Sequence, residues 1–247
     1  MKWTEQERDI LEKHFEGNTL PLTTFQRLQK IKSGHSFEAV TRELRRMRQR
    51  KALQPRERAV RELRVGYLDI EASDLQADFG YMLSWYIKRR GKNEYDYSII
   101  TKDEIFRYEF DKRLTKELLE ALNNYDVIYT HYGADRRFDL PFIRSRAYKW
   151  GLEDMLPDKG EKFLMDTWPI ARNKLKLHSN RLDSIAEAVG IKGIKKTPLS
   201  GQTWVLASAG HPESLEYIAK HNKHDVIILE RIHKKLEKVE TKVYRSL

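Results

Sequence analysis

Two acidic residues separated by one position stand in an apolar segment, and they are the first candidates for chemistry. Asp69 and Glu71 lie in VGYLDIEAS, which is otherwise mostly apolar. The spacing alone carries no weight, because acid-x-acid occurs at least five times in the chain. In a strand, however, such a pair points to one face. Two ionised carboxylates on a buried face are costly unless cations neutralise them, so the context predicts a cation site. The alternative is an outer strand with both acids in water.

Two further acids occur in segments that suit the same chemistry. Asp139 lies in RRFDLPFIRSRA, at a junction leading into a helix, where an Asp is also a routine N-terminal cap. Asp225 follows His221 by four residues in HNKHDV, so the two share one helical face. Apolar residues continue that face of the helix: Leu229, Ile232 and Leu236. An Asp at the head of an apolar stripe is poorly explained by solvation.

The composition restricts which cofactors these residues could bind. The chain has no cysteine, which excludes disulfides, cysteine-based zinc sites, iron–sulfur clusters and thiol catalysis. Oxygen ligands without sulfur favour hard divalent cations, Mg²⁺ or Mn²⁺. No apolar run approaches the roughly 18 residues of a membrane span. We therefore expect a soluble, cytoplasmic protein without a membrane partner.

The elements that must position the acids change in character along the chain. Residues 1–50 are predicted to form three short helices, residues 51–64 a charged linker, and residues 65–247 a separate domain. In the last part, three strands (VGYLDIEAS, FGYMLSWYIKRR and YDYSIIT) precede alternating helices and strands, and a long helix runs from Glu213 to about Tyr244. This order predicts an α/β fold in which helices flank a mixed sheet.

The net charge of +10 is concentrated in the N-terminal part. Residues 1–64 hold 16 Lys and Arg against 9 Asp and Glu. The polar face of the predicted third helix carries four arginines: Arg42, Arg45, Arg46 and Arg48. Such a block attracts a polyanion such as nucleic acid, although a solvated helix face is the alternative. Three short helices of which the last is basic suit a helix-turn-helix, and the start WTEQERDIL resembles Myb/SANT-like domains.

The order of the acidic segments resembles the DEDD superfamily of 3′–5′ exonucleases, which includes polymerase proofreading domains and has a ribonuclease H-like fold. The resemblance rests on LDIEASDL, FDLPFI and HNKHDV, with MDTWPIAR as a further similar segment, and covers residues 65–236. It implies that four acids hold two divalent ions that span the scissile phosphate: Asp69, Glu71, Asp139 and Asp225.

The water-activating residue departs from the pattern of that family. The family has either Tyr four residues before the last Asp or His five residues before it. Here Lys220 and His221 occupy these positions, so the Tyr spacing is combined with histidine chemistry. Histidine can act as a base near neutral pH, and we predict that His221 activates the water. His224 is the second candidate, but it is rotated by about 100° from Asp225 on the helix.

Contacts to nucleic acid are predicted around these acids. The small residues Ala72 and Ser73 follow Glu71, where such enzymes touch the terminal nucleotide with backbone. The segment THYGADRRFD has Tyr132 where the family often has Asn. Three basic residues are further candidates, with surface charge as the alternative: Arg136, Arg137 and Lys174.

The predicted activity is therefore metal-dependent removal of mononucleotides from the 3′ end of nucleic acid. DNA is the first choice because a helix-turn-helix fits the B-form major groove, and RNA is a possible substrate. The alternatives are a structure-selective endonuclease of the same fold and an inactive nucleic-acid-binding regulator.

Overall fold

The computed structural model describes two compact units, Met1–Arg61 and Glu62–Leu247, and each is considered by itself. The described residues are 2–16, 21–31, 33–53, 63–134, 137–158, 160–193, 198–240 and 245–246. Most of the predicted linker, residues 54–62, lies outside them.

In its described residues, the N-terminal unit contains three helices: α1 (Glu5–Glu16), α2 (Pro21–Lys30) and α3 (Phe37–Leu53). A capping box begins α1, because the Glu7 N–H donates to Thr4 Oγ1 (3.3 Å) and the Thr4 N–H donates to Glu7 Oε2 (2.8 Å). Each helix contributes at least one apolar side chain to the small core, which contains Leu11, Leu28, Val40 and Leu44. The prediction of three helices in this part of the chain is confirmed.

The larger unit is built on a six-stranded sheet with the order β3-β2-β1-β4-β5-β6. Its strands are β1 (Val65–Ala72), β2 (Met82–Arg89), β3 (Tyr95–Ile99), β4 (Val127–Thr130), β5 (Phe163–Asp166) and β6 (Arg245–Ser246). Strand β1 pairs with β2 in the antiparallel sense and with β4 in the parallel sense. The prediction of a mixed sheet flanked by helices is confirmed, and β1 is central in it.

Seven α-helices lie in the described part of this unit: α4 (Lys102–Phe106), α5 (Lys112–Leu122), α6 (Asp139–Trp150), α7 (Thr167–Lys174), α8 (Leu182–Ala188), α9 (Gly201–Ser208) and α10 (Pro212–Leu236). Alternation along β1 divides the core. Leu68 and Ile70 pack with residues of α5 and α6, whereas Val65 and Tyr67 pack with residues of α10. Asp69 and Glu71 share the face of Tyr67, so they point to the side that α10 covers.

Two helices differ from the sequence predictions. The last helix ends at Leu236 rather than near Tyr244, because the chain turns there and the Val239 and Glu240 N–H groups donate back to the Leu236 carbonyl. Residues 241–244 lie outside the description. Helix α4 was missed, although Thr101 and Glu104 form a capping box like that of α1. Among the described residues, no helix has the length and apolar character needed to cross a membrane.

Candidate metal centre

The central strand β1 carries the first two acids of the site. Asp69 lies opposite Tyr86 and Glu71 opposite Ser84 in the antiparallel ladder with β2. The Glu71 side chain is only 13% exposed. The alternative of a solvated outer strand is therefore wrong, and the two carboxylates share a partly buried face.

Helix α10 brings His221 and Asp225 onto this face. The His221 Nε2 lies 3.4 Å from Asp225 Oδ2 and 3.8 Å from Glu71 Oε1. Glu71, His221 and Asp225 each offer one potential ligand atom, and these three atoms lie within 4.8 Å of one another. This spacing suits a shared metal ion. His224, the second candidate for water activation, is partly exposed and close enough to lower the pKa of Asp225.

Asp139 is the first residue of α6 and is only 3% exposed. It does not occupy the N-cap position, which Phe138 holds without a side-chain cap hydrogen bond. Among the described residues, no group hydrogen-bonds to Asp139 Oδ2. Room for this oxygen comes from Gly133, because a Cβ there would lie 2.8 Å from Asp139 Cγ and closer still to Oδ2. Burial without a partner is unfavourable for a carboxylate unless a ligand completes the site.

Burial raises the pKa of each of the four carboxylates. Burial raises the pKa of Asp69 well above its ordinary value, and the charges of Glu71, Asp139 and Asp225 raise it further. Burial also raises the pKa of Glu71, with Asp225 and Asp139 adding to the effect. For Asp225, burial raises the pKa to about 7, and the neighbouring Asp183 contributes. The ionised forms of these carboxylates are therefore unfavourable unless cations neutralise them.

The donor set fits two hard divalent cations. Within the described part of the chain, no Lys or Arg forms an ion pair with any of the four acids. Oxygen-rich clusters of this charge suit Mg²⁺ or Mn²⁺. The residues that would hold such ions are Asp69, Glu71, Asp139 and Asp225, and His221 is close enough to take part.

Asn222 is a site residue that the sequence reasoning missed. It is fully buried on α10 and lies against β1. With its amide oriented so that both atoms are satisfied, Nδ2 donates to the Asp69 carbonyl (3.2 Å) and Oδ1 accepts from the Glu71 N–H (3.2 Å). The pairing of β4 with β1 ends at Tyr67, so this edge of β1 is open where the acids lie. Asn222 supplies the hydrogen-bond partner that β4 does not provide for the Asp69 carbonyl and the Glu71 N–H. Nothing in the sequence HNKHDV distinguishes such an Asn from a solvated one.

Asp166 organises the loop that leads to Asp139. Its carboxylate accepts from the backbone N–H groups of Tyr132 (3.0 Å), Ala134 (3.1 Å) and Trp168 (2.8 Å). The guanidinium of Arg137 also donates to it, at 3.1 Å. These bonds fix the loop between β4 and α6. The sequence reasoning found the segment of Asp166 by resemblance but gave this residue no role.

The predicted nucleic-acid contacts fall in different places. Arg137 pairs with Asp166, and Lys174 is exposed in the last turn of α7. Ala72 is buried, and the Ser73 N–H already donates to the Tyr81 carbonyl (2.9 Å). Arg42, Arg45 and Arg46 are exposed on α3 in the N-terminal unit. Arg136 and the side chain of Arg48 lie outside the described structure.

Comparison with known proteins agrees with this fold. A family model of the RNase H superfamily (RNase_H_2) matches residues 66–237. The chain therefore belongs to the RNase H superfamily, whose members are generally nucleases.

Two proteins to which the chain is similar are DNA polymerases. A DNA polymerase of Methanocaldococcus jannaschii is 28% identical over 130 residues, which are 46% of this chain and 7% of that protein. The family B DNA polymerase of the hyperthermophilic archaeon Pyrobaculum calidifontis superposes with a TM-score of 0.58 at 17% identity, over 71% of this chain and 24% of the polymerase. This chain thus corresponds to a small part of each polymerase, and the structural likeness concerns the fold.

Proposed function

We propose that the chain is a metal-dependent nuclease that removes mononucleotides from the 3′ end of DNA, with RNA as a second substrate. The observation that carries the proposal is the convergence of four carboxylates from β1, α6 and α10 without a neutralising Lys or Arg among the described residues. Membership of the RNase H superfamily and the likeness to polymerases support it.

The acids would serve as ligands rather than as proton donors. When two divalent ions are bound, they supply Lewis acidity that lowers the pKa of water and stabilises charge on the attacking and leaving oxygens. The Asp69 and Glu71 carboxylates would hold these ligating positions from the rigid central strand. Asp139 and Asp225 would close the set from two helices.

His221 is the residue that we assign to the attacking water. Its Nε2 lies 3.8 Å from a carboxylate oxygen of Glu71 and 3.4 Å from one of Asp225, where it can accept the proton as the water oxygen attacks phosphorus. The P–O3′ bond then breaks, and a proton passes to the departing 3′ oxygen. The products are a 5′-mononucleotide and a strand one nucleotide shorter.

The decisive assay uses linear and circular substrates. Single-stranded DNA, duplex DNA, RNA and an RNA:DNA hybrid are labelled separately at each end and incubated with Mg²⁺ or Mn²⁺. We expect mononucleotide release from the 3′ end and an intact circle. Internal fragments from the circle would instead indicate an endonuclease, and intact linear substrates would contradict the proposal.

Matched variants connect the activity to the site. Asp139→Ala should abolish hydrolysis while the protein remains folded. Asp154→Ala removes an exposed acid from a short 3₁₀ turn of the same unit, Glu153–Met155, and should retain full activity. Equal activity in both variants would show that the acid cluster is not the catalytic site. Binding that persists in an otherwise inactive wild-type chain would indicate a regulator.

The N-terminal unit is proposed to hold nucleic acid electrostatically. Arg42, Arg45 and Arg46 are exposed on α3, so replacing all three with Ala should weaken binding and flatten its salt dependence. Removing one arginine–phosphate interaction lowers the steepness of log K against log[salt] by about one. An unchanged slope would indicate that this helix serves another role.

A further inference from the structure

A cluster of two aromatic rings and two guanidinium groups lies beside the candidate metal centre. We call it the Tyr132–Trp168 cluster, and its members are Tyr132, Arg137, Trp168 and Arg172. The Arg137 guanidinium lies 4.1 Å from the centre of the Trp168 ring and 5.4 Å from that of Tyr132. The Arg172 guanidinium lies 4.9 Å from the Trp168 ring. The two rings meet edge to face at 5.3 Å.

The buried carboxylate of Asp166 holds three of the four cluster members in place. Asp166 is 7% exposed and accepts from the Tyr132 N–H, the Trp168 N–H and the Arg137 guanidinium. The backbones that carry both rings are therefore fixed relative to each other. A surface fixed in this way loses little conformational freedom when it binds a ligand.

Packing does not explain the conformation of Tyr132. Its side chain is 48% exposed, and its backbone has a φ of +64°, in the left-handed region that few residues other than glycine adopt. An exposed ring on a strained backbone gains little from the core. Strained residues of this kind cluster at ligand sites.

The location and charge of the cluster indicate the chemistry of its ligand. Tyr132 precedes Gly133, which lies against the Asp139 carboxylate, and Arg137 precedes Asp139 by two residues. Residues 168–181, which include Trp168 and Arg172, contain four Lys and Arg and no Asp or Glu. Aromatic rings beside guanidinium groups bind bases by stacking, while the cations attract phosphate.

We infer that the Tyr132–Trp168 cluster binds an unpaired base of the substrate strand and its phosphate next to the metal centre. The inference rests on the proposed function and specifies its substrate as a strand with a single-stranded end. A base inside a duplex is stacked on both faces and held by its pairing partner, whereas an unpaired end can turn a base face towards Tyr132.

Binding without hydrolysis tests this inference. The full chain is titrated, with Ca²⁺ in place of Mg²⁺, into a labelled single-stranded oligodeoxynucleotide of about 12 nucleotides, and anisotropy is measured. Tyr132→Ala should weaken binding roughly tenfold, which is within the range for losing one stacked base. Tyr132→Phe keeps the ring and should bind like the wild type. Tyr132→Asn also removes the ring but tolerates positive φ, so it separates loss of stacking from loss of folding.

Two controls make the result specific. Tyr148→Ala removes an aromatic side chain that is 67% exposed on α6, about 13 Å along the helix from Asp139, and should leave affinity unchanged. Abasic residues are then placed singly at each position from the 3′ end. For the wild type, an abasic residue should reduce affinity mainly at one position of the strand. The affinity of Tyr132→Asn should not change when the abasic residue is at that position.

The outcomes separate this inference from the proposed function. Equal abasic profiles in wild type and Tyr132→Asn, or unchanged affinity in the ring-free variants, would overturn the stacking site even if the chain is an active nuclease. A Tyr132-dependent abasic profile in a chain that releases no nucleotide with Mg²⁺ would support the stacking site and overturn the nuclease.

Discussion

The space beside Gly133 offers the sharpest test of how the site is built. An alanine at this position would place its Cβ 2.8 Å from Asp139 Cγ and 2.7 Å from Thr130 Cβ. An ordinary contact needs 3.4 Å or more, so the carboxylate must retreat by about 0.6 Å at Cγ and by more at Oδ2. The backbone of Gly133 has no positive φ, so strain in the new residue does not confuse the result.

Two quantities should change in Gly133→Ala. A shift of about 1 Å in a catalytic group can reduce a rate about 100-fold, and we expect a loss approaching that size in mononucleotide release. Overpacking should also lower the free energy of unfolding by about 1–3 kcal/mol. Initial rates on a 3′-labelled strand measure the first quantity, and urea denaturation measures the second.

Gly201→Ala is the matched control. Gly201 has no atom within 4 Å of an added Cβ and begins α9, so alanine there should leave the rate unchanged and slightly stabilise the protein. If Gly133→Ala retains the wild-type rate within about threefold, Asp139 does not need the space that Gly133 leaves, and the reasoning fails.

Three further predictions concern a side-chain amide, an acid and a histidine of the larger unit. Asn222→Ala leaves the Asp69 carbonyl and the Glu71 N–H without their partner and should reduce the free energy of unfolding by about 1–3 kcal/mol, measured in urea; an unchanged value would contradict this role. Burial and three neighbouring acids make the ionised form of Asp69 unfavourable, so in EDTA the Tm of Asp69→Asn should exceed that of the wild type by about 2–4 °C, with a smaller Mg²⁺-induced rise; a lower Tm in EDTA would contradict this reasoning. His131 directly follows β4, and its Nδ1 lies 2.9 Å from Thr167 Oγ1. Burial lowers the pKa of His131 below 6.5, so its contribution to stability is present above pH 6.5 and is lost as the pH falls through the lower pKa of the folded state. A comparison of unfolding free energies at neutral and mildly acidic pH should show a smaller loss in His131→Gln than in the wild type, and equal losses would count against burial of the neutral ring.

Much of the fold could be predicted because it depends on short-range patterns. Alternation in VGYLDIEAS and the apolar stripe after Asp225 each identify an element and its buried face. The end of α10 was less predictable, since the residues after Leu236 have ordinary helical propensity. There the Tyr129 hydroxyl donates to Glu240 (3.0 Å), a contact between positions 111 residues apart that no local pattern reveals.

The candidate site likewise combines features that local patterns predict with features that depend on contacts between distant residues. His221 and Asp225 could be paired from their spacing on a helix, and the structure places them 3.4 Å apart. The roles of Gly133 and Asn222 could not be predicted, because each depends on an element distant in sequence. Gly133 makes room for a side chain of α6, and Asn222 reaches the open edge of β1. Such roles follow from three-dimensional proximity, which composition and periodicity do not contain.

The bond from Asn222 to β1 also determines how the centre would open. The Glu71 amide hydrogen is protected by a side chain of α10 rather than by a neighbouring strand. Its exchange with solvent deuterium therefore requires only that α10 lift from the sheet, whereas exchange at Tyr67 requires separation of paired strands. The amide of a candidate metal ligand thus reports helix undocking separately from global unfolding. Ligand binding at the metal centre should therefore slow hydrogen exchange at the Glu71 amide before it slows exchange at any other amide of β1.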